Sequence, residues 1–256
     1  MSLLIKKFRI KSFKEEKAEI ELKNLSISYG NRQVIEDLNL KIQQSEISGL
    51  LGPNGSGKSS LYHCLIGLIK PTSGRVIING EDATDIPTHI RCSKFGISWV
   101  PQHSGTFLDL TVYENLMAIA ELHIKNKEER KSKVGNIIRK FELGNVINIR
   151  SRFLSGGQQR RLSVGMAMVK NTKILVLDEP FSQLDPMAIK MIQQIIVSLQ
   201  MLERITVSIS DHSYRDLLNV CDSSMILSEG KIVAKGSKAE LLRNEKAIAN
   251  YFGKGL

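Results

Sequence analysis

Gly52-Pro53-Asn54-Gly55-Ser56-Gly57-Lys58-Ser59 carries the spacing G-x-x-x-x-G-K-[ST]. Each fixed position has a chemical task. Glycine admits left-handed backbone, so successive N–H groups can turn inward onto one anion. Lys58 brings a compact positive charge to the β and γ phosphates of a nucleotide. The Ser59 hydroxyl can ligate Mg²⁺, and Ser60 continues the loop into the next element. A second group lies downstream, where Ile174-Leu175-Val176-Leu177 runs into Asp178-Glu179. Asp178 can hold a metal through water, and Glu179 can polarise an attacking water. Those are the positioning and charge-stabilising tasks of phosphoryl transfer. Two acids after an apolar run could equally be a strand cap. In the same chain as the phosphate loop, they read as its catalytic complement.

Such groups work only if ordinary elements hold them. Ile47–Leu51 is a short apolar strand leading into the loop, and residues 59–68 read as a helix closed by Pro71. The helix then offers its positive end to the same anion. Residues 174–177 form an apolar run suited to a parallel strand buried on both faces. A strand end delivers its last side chains to the carboxyl edge of a sheet, where ligands of α/β folds bind. Asp185-Pro186 opens a further helix with an N-cap and an N1 proline, striped by Ile189, Ile192, Ile196 and Leu199. Short strands are expected at Ile20, Leu22 and residues 25–28, then at residues 34–42, 76–78 and 205–209, with a hairpin from residues 224–227 and 232–234. Thr111 and Glu114 have capping-box spacing, so helices are expected from there, over residues 125–140, and after Leu154.

The chain has 256 residues, with 42% hydrophobic and 24% charged, which excludes a fibrous or disordered protein. No run approaches the ~18 apolar residues of a membrane span. Three scattered cysteines suggest neither a disulfide framework nor a zinc site, and point to a reducing cytosol. The first thirty residues show no secretory-signal pattern. The net charge of +10 favours an acidic partner: nucleotide, nucleic acid or anionic lipid. Residues 1–19 read as a basic extension, either a solvated terminus or a segment drawn to an anionic membrane face.

Leu154-Ser155-Gly156-Gly157-Gln158 is the feature by which the chain, from about residue 20 to 236, resembles the ATP-binding-cassette family of ATPases. The other motifs of that family occur in order. The resemblance implies that Tyr29 stacks on adenine and that Gln102 senses the γ-phosphate and Mg²⁺. It makes Ser182-Gln183-Leu184-Asp185 the D-loop and His212 the switch histidine. His63, His89, His103 and His123 have no such support and are taken as ordinary histidines. The implied fold is α/β: a P-loop nucleotide-binding core with an antiparallel β subdomain (residues 20–102 and 170–236), an inserted helical subdomain (103–169) and a tail (237–256). ATP and Mg²⁺ are the implied cofactors.

Ser155, Gly156 and Gly157 would open a helix as an anion site without a phosphate loop of their own in reach. In the family they face ATP held by the other protomer, so the resemblance implies a homodimer closing head to tail on two ATP molecules. Glu179, His212 and Gln102 would carry catalysis. Asp185 and Gln158 complete the implied nucleotide contacts.

Residues 96–102, Phe107, 110–118, 210–218 and 247–253 are most similar to the branch that powers lipopolysaccharide export. The branched-chain amino acid importers share much of that pattern and are the alternative. Departures from the export pattern are Leu108 in place of a basic residue, Gln158 in place of an acid, and Ser182-Gln183-Leu184 in place of a smaller, glycine-containing D-loop. The branch implies a peripheral subunit on the cytoplasmic face of the inner membrane, with integral membrane subunits docking near Gln102 and Phe107. Nucleic acid is not expected as a partner. A soluble nucleic-acid or ribosome switch fits the charge, and a small-molecule kinase fits the loop, but the kinase reading leaves residues 155–158 unexplained.

Overall fold

Period-two alternation of apolar residues is converted directly into strand pairing. The computed structural model describes residues 18–103 and 105–253. Of the basic extension expected at residues 1–19, residues 1–17 lie outside the described residues. Ala18–Tyr29 (β1) buries Ile20, Leu22, Leu25 and Ile27 on one face. The two short segments expected here are one strand. Its alternation breaks because Asn24 adopts φ 48 where the pairing with Arg32–Gln43 (β2) shifts register, as a bulge does. Strand β1 also starts two residues before the expected Ile20. Glu19 is buried and accepts a hydrogen bond from Thr206. Ser73–Ile78 (β4) and Glu81–Asp82 (β5) complete an antiparallel sheet of order β2-β1-β4-β5.

The second sheet contains Ile47–Leu51 (β3), Ile97–Val100 (β6), Ile174–Asp178 (β7), Thr206–Asp211 (β8), Ser223–Ser228 (β9) and Lys231–Gly236 (β10). Its order is β10-β9-β3-β8-β7-β6. All neighbours are parallel except the β9–β10 hairpin. Strand β7 shows why a continuous apolar run belongs here. Leu175 and Leu177 point into one hydrophobic cluster, Ile174 and Val176 into the other. Both faces of a parallel sheet are covered, so every residue of the strand is apolar until the carboxyl edge.

The helices are Lys58–Ile66 (α1), Thr88–Lys94 (α2), Val112–His123 (α3), Lys127–Lys140 (α4), Gly156–Ala167 (α5), Pro186–Glu203 (α6), Tyr214–Leu218 (α7), Lys238–Leu241 (α8) and Glu245–Ala247 (α9). The capping box expected at Thr111 and Glu114 forms. Asp185 caps α6 through the Met187 and Ala188 amides, both at 2.9 Å. Helix α1 ends earlier than Pro71 would require. Gly67 at φ 82 terminates it, with its N–H on the Cys64 carbonyl, the left-handed cap for which glycine has no steric penalty. No helix of the described residues is long and apolar enough to cross a membrane.

The topology brings the chemistry to one edge. Leu51 pairs with Asp211, Asp178 with Ser210, and Val100 with Leu177. The residues that follow β3, β6, β7 and β8 therefore emerge side by side. They are the phosphate loop, Gln102, Glu179 and His212.

Candidate active site

The phosphate loop connects β3 to α1. Gly55 and Gly57 have φ 81 and 106, backbone that disfavours side chains. Gly52 is constrained by space instead: a Cβ there would lie 2.4 Å from the Leu227 carbonyl oxygen. Pro53, Asn54 and Gly55 are exposed, while Ser56 is buried. Its hydroxyl has no hydrogen-bond partner among the described residues, which leaves a donor for an anion lodged in the loop. Lys58 is 5% exposed. Its ammonium donates to the carbonyls of Gly52 at 2.8 Å and Pro53 at 3.1 Å. Burial lowers its pKa, and Glu179, Asp178 and Asp211 oppose that shift. Ser59 and Ser60 open the first turn of α1. The Tyr29 hydroxyl reaches Ser60 Oγ at 3.4 Å, and its ring is half exposed beside the loop.

Opposite Lys58 lies a dense polar knot. Glu179 is 8% exposed, and its Oε1 stands 4.0 Å from Lys58 Nζ. Its Oε2 accepts from Gln102 Nε2 at 2.8 Å and from Ser182 Oγ at 3.0 Å. His212 Nδ1 is 3.4 Å from the same oxygen, and its ring is half exposed. Asp178 is buried one residue upstream and accepts from the Ser210 hydroxyl. Asp211, fully buried, accepts from the amides of Phe181 and Ser213, and burial raises its pKa. This set can place a proton acceptor, an amide and an imidazole around one reacting water.

Ser155 caps α5. Its hydroxyl accepts from the Gln158 amide, and Gln158 Oε1 accepts from the Ser155 amide at 2.9 Å. Gln158 thus does what an acid would do in a capping box. Ser155 and Gly156 are exposed, while Gly157 is buried. A Cβ on Gly157 would lie 2.7 Å from Ala188 Cβ, so glycine is demanded by the close approach of α6. Among the described residues, no hydrogen bond joins residues 155–158 to the phosphate loop of the same chain.

Residues 35–182 match the family described as ABC transporter. The lipopolysaccharide export system ATP-binding protein LptB of Haemophilus influenzae is 37% identical over 231 residues, spanning 90% of this chain and 95% of that protein. The Escherichia coli K12 protein of the same name is 35% identical over 237 residues, spanning 92% and 98%. The chain belongs to the ABC transporter family.

The cassette is an ATPase of that family, and nucleotide is its ligand. Among solved structures, an ATP-binding cassette of an ABC transporter in its ADP conformation matches with a TM-score of 0.83 at 25% identity, covering 93% of this chain and 99% of that one. A dimeric cassette in a post-hydrolysis state bound to ADP and Pi matches with a TM-score of 0.76 at 26% identity, covering 85% and 98%.

Sequence reasoning missed two residues that organise the cassette's site. Arg160, 9% exposed on α5, donates to the carbonyls of Pro101 at 2.9 Å, Gln102 at 2.7 Å and Glu179 at 3.4 Å. It ties α5, the helix that Ser155 caps, to the main chain at both Gln102 and Glu179. Asn115 is fully buried on α3. It accepts from the Phe107 amide at 2.7 Å and donates to the carbonyls of Phe107, Leu110 and Thr111. That fixes the loop on which Phe107 and Leu108 are exposed at 49% and 47%. Beside that loop, a cleft of about 320 Å³ runs over Trp99, Val100, Pro101, Gly105 and Met166. The partners of Arg160 and Asn115 are mostly main-chain carbonyls, which leave no periodic signal in sequence.

Proposed function

We propose that the cassette is the ATP-hydrolysing subunit of a transporter that extracts lipopolysaccharide from the inner membrane for export. In this reading it acts as a homodimer on the cytoplasmic face. The observation carrying the chemistry is the knot at Glu179, where Gln102, Ser182, His212 and Lys58 converge on one carboxylate. The cargo assignment is supported by the identity, across about nine-tenths of the chain, to relatives named for lipopolysaccharide export.

The roles follow from the positions. The loop from Gly52 to Ser60 cradles the phosphates. The Ser56 hydroxyl and the loop amides donate to them, and Lys58 exchanges its two carbonyl partners for phosphate oxygens. Tyr29 offers a half-exposed ring to the base. Ser59, Asp178 and the Gln102 amide oxygen are hydroxyl, carboxylate and carbonyl donors, the hard set that suits Mg²⁺. Bound there, Mg²⁺ would neutralise charge on the phosphates. Glu179 orients the attacking water and accepts its proton as the water oxygen bonds to the γ-phosphorus and the bond to the ADP oxygen breaks. His212 and Gln102 hold water and carboxylate in line. The signature residues Ser155, Gly156, Gly157 and Gln158 of a second copy, with the loop ending at Asp185, close over the γ-phosphate. Residues 103–169 act as the arm carrying that signature. The cleft beside Gln102 and Phe107 receives the membrane subunits.

The direct test is Glu179→Gln. Turnover should fall by about 10²–10⁴-fold while nucleotide affinity is retained. Wild-type turnover in that variant would remove Glu179 from the mechanism. The cargo is tested by purifying the chain with its membrane proteins and assaying ATP-dependent release of lipopolysaccharide from proteoliposomes. Co-purification with an amino acid permease instead would sink the assignment.

A further inference from the structure

The C-terminal segment reaches the catalytic knot. After α9, residues Ile248–Phe252 make a wider helical turn closed by the Gly253 amide on the Ile248 carbonyl at 2.9 Å. Ala247 is fully buried, and Tyr251 and Phe252 pack on the main core. The Phe252 ring meets Tyr214 edge-on at 4.9 Å and Tyr251 at 5.5 Å. Tyr214 is the first residue of α7, two positions after His212. This aromatic cluster sets the Tyr251 hydroxyl between two loops of the site. The hydroxyl donates to the His212 carbonyl at 2.5 Å. The Gly52 backbone lies beside the same phenol oxygen.

We propose that Tyr251 is a positioning residue of the ATPase site, a clasp whose hydroxyl donor fixes the switch-histidine loop beside the first residue of the phosphate loop. The inference rests on the reading of His212 as part of the catalytic knot. The two loops follow the adjacent strands β3 and β8, where Leu51 pairs with Asp211, yet the strand ladder stops there. Beyond it, the ring of His212 is half exposed and must hold Nδ1 at 3.4 Å from Glu179 Oε2. A half-exposed side chain on a loop keeps such a distance only if its backbone is held. The phenol holds that backbone at its carbonyl. The hydroxyl of an ordinary phenol is already protonated at neutral pH, and burial with the nearby Asp211 pushes its pKa further up, to about 12. Phe252 and Tyr214 supply rigidity, and the hydroxyl supplies register.

The test is Tyr251→Phe in the full chain, which keeps the ring packing and deletes the clasp. Losing one hydrogen bond of ordinary net strength should lower kcat about three- to tenfold. KM for ATP and the melting temperature should stay close to wild type. A merely structural residue would not give that split. The decisive comparison is with His212→Ala and the double variant, followed by single-turnover ATP hydrolysis so that residual rates are measurable. If Tyr251 acts through His212, the double variant is no slower than His212→Ala alone. A Tyr251→Phe variant at wild-type kcat overturns the clasp, as does a Tyr251 effect that persists undiminished on top of His212→Ala. Should His212→Ala itself turn over like wild type, the reading of His212 fails first, and that outcome is distinct from the other two.

Discussion

Buried ionisable residues in this molecule divide by what answers their charge. Lys58 is answered: carboxylates at Glu179, Asp178 and Asp211 oppose the burial that lowers its pKa. Glu19 is answered less well. Burial raises its pKa above the ordinary value of 4.5, against the Thr206 hydroxyl and the charge of Lys173, which lower it. A raised carboxyl pKa means the folded chain holds a proton that the unfolded chain has released, over the window just above 4.5. Stability from this group is therefore present below that window and lost as pH rises through it. Glu19→Gln removes the titration and retains an oxygen to accept from Thr206. The unfolding free energy of wild type relative to the variant should grow as pH falls from neutral toward about 4.5. Chemical denaturation of both proteins across that range measures it. A difference that is flat, or of the opposite slope, would contradict the burial argument.

The phosphate-loop helix α1 shows how an element is finished at both ends. Its N-terminus follows the phosphate loop, and beyond the Gly67 cap its C-terminus is braced by a residue with no visible sequence signature. Arg91, 1% exposed, donates to the carbonyls of Cys64 at 2.8 Å, Leu65 at 2.6 Å, Ile86 at 2.7 Å and Thr84 at 3.0 Å. It satisfies carbonyls that a helix end leaves unpaired and sets a cation at the negative end of the dipole. Arg91→Met keeps much of the volume and orphans the Leu65, Ile86 and Thr84 carbonyls, while Cys64 keeps the Gly67 amide. It should cost about 2–4 kcal/mol of stability, read by denaturant melts, with ATP affinity changed far less. A loss below about 0.5 kcal/mol would mean that water replaces the guanidinium freely.

The same contrast explains what the sequence made legible. Strand β7, the phosphate loop, the Thr111 box and the Asp185 cap were readable because each depends on residues within a few positions of one another. Strand β6, with four residues, and helix α2, with seven, are too short to show a period. Arg91, Arg160 and Asn115 bond to carbonyls brought close only by the fold. Tyr251 could be noticed in sequence as part of a resemblance, but its contact with the His212 loop, 39 residues away, is purely a product of packing.

At the scale of the whole molecule, the signature helix offers its capped end outward. Ser155 and Gly156 are exposed, and neighbouring Phe153 is 72% exposed. A helix N-terminus is an anion site, and this one makes no hydrogen bond to its own phosphate loop among the described residues. Two copies related by a two-fold axis could satisfy both ends at once, since such an interface is self-complementary. On the proposed reading, ATP would join the copies by mass action. Glu179→Gln, which slows hydrolysis, should sediment as a dimer with Mg²⁺ and ATP and as a monomer with ADP. Adding Ser155→Phe places a large ring at the cap. The lost cap costs only about 1 kcal/mol of folding stability, so a melting curve can verify that the chain still folds. The double variant should remain monomeric with ATP at concentrations where Glu179→Gln alone dimerises. If it dimerises equally well, the γ-phosphate is not held between the copies at Ser155, and closure must rest on other surfaces.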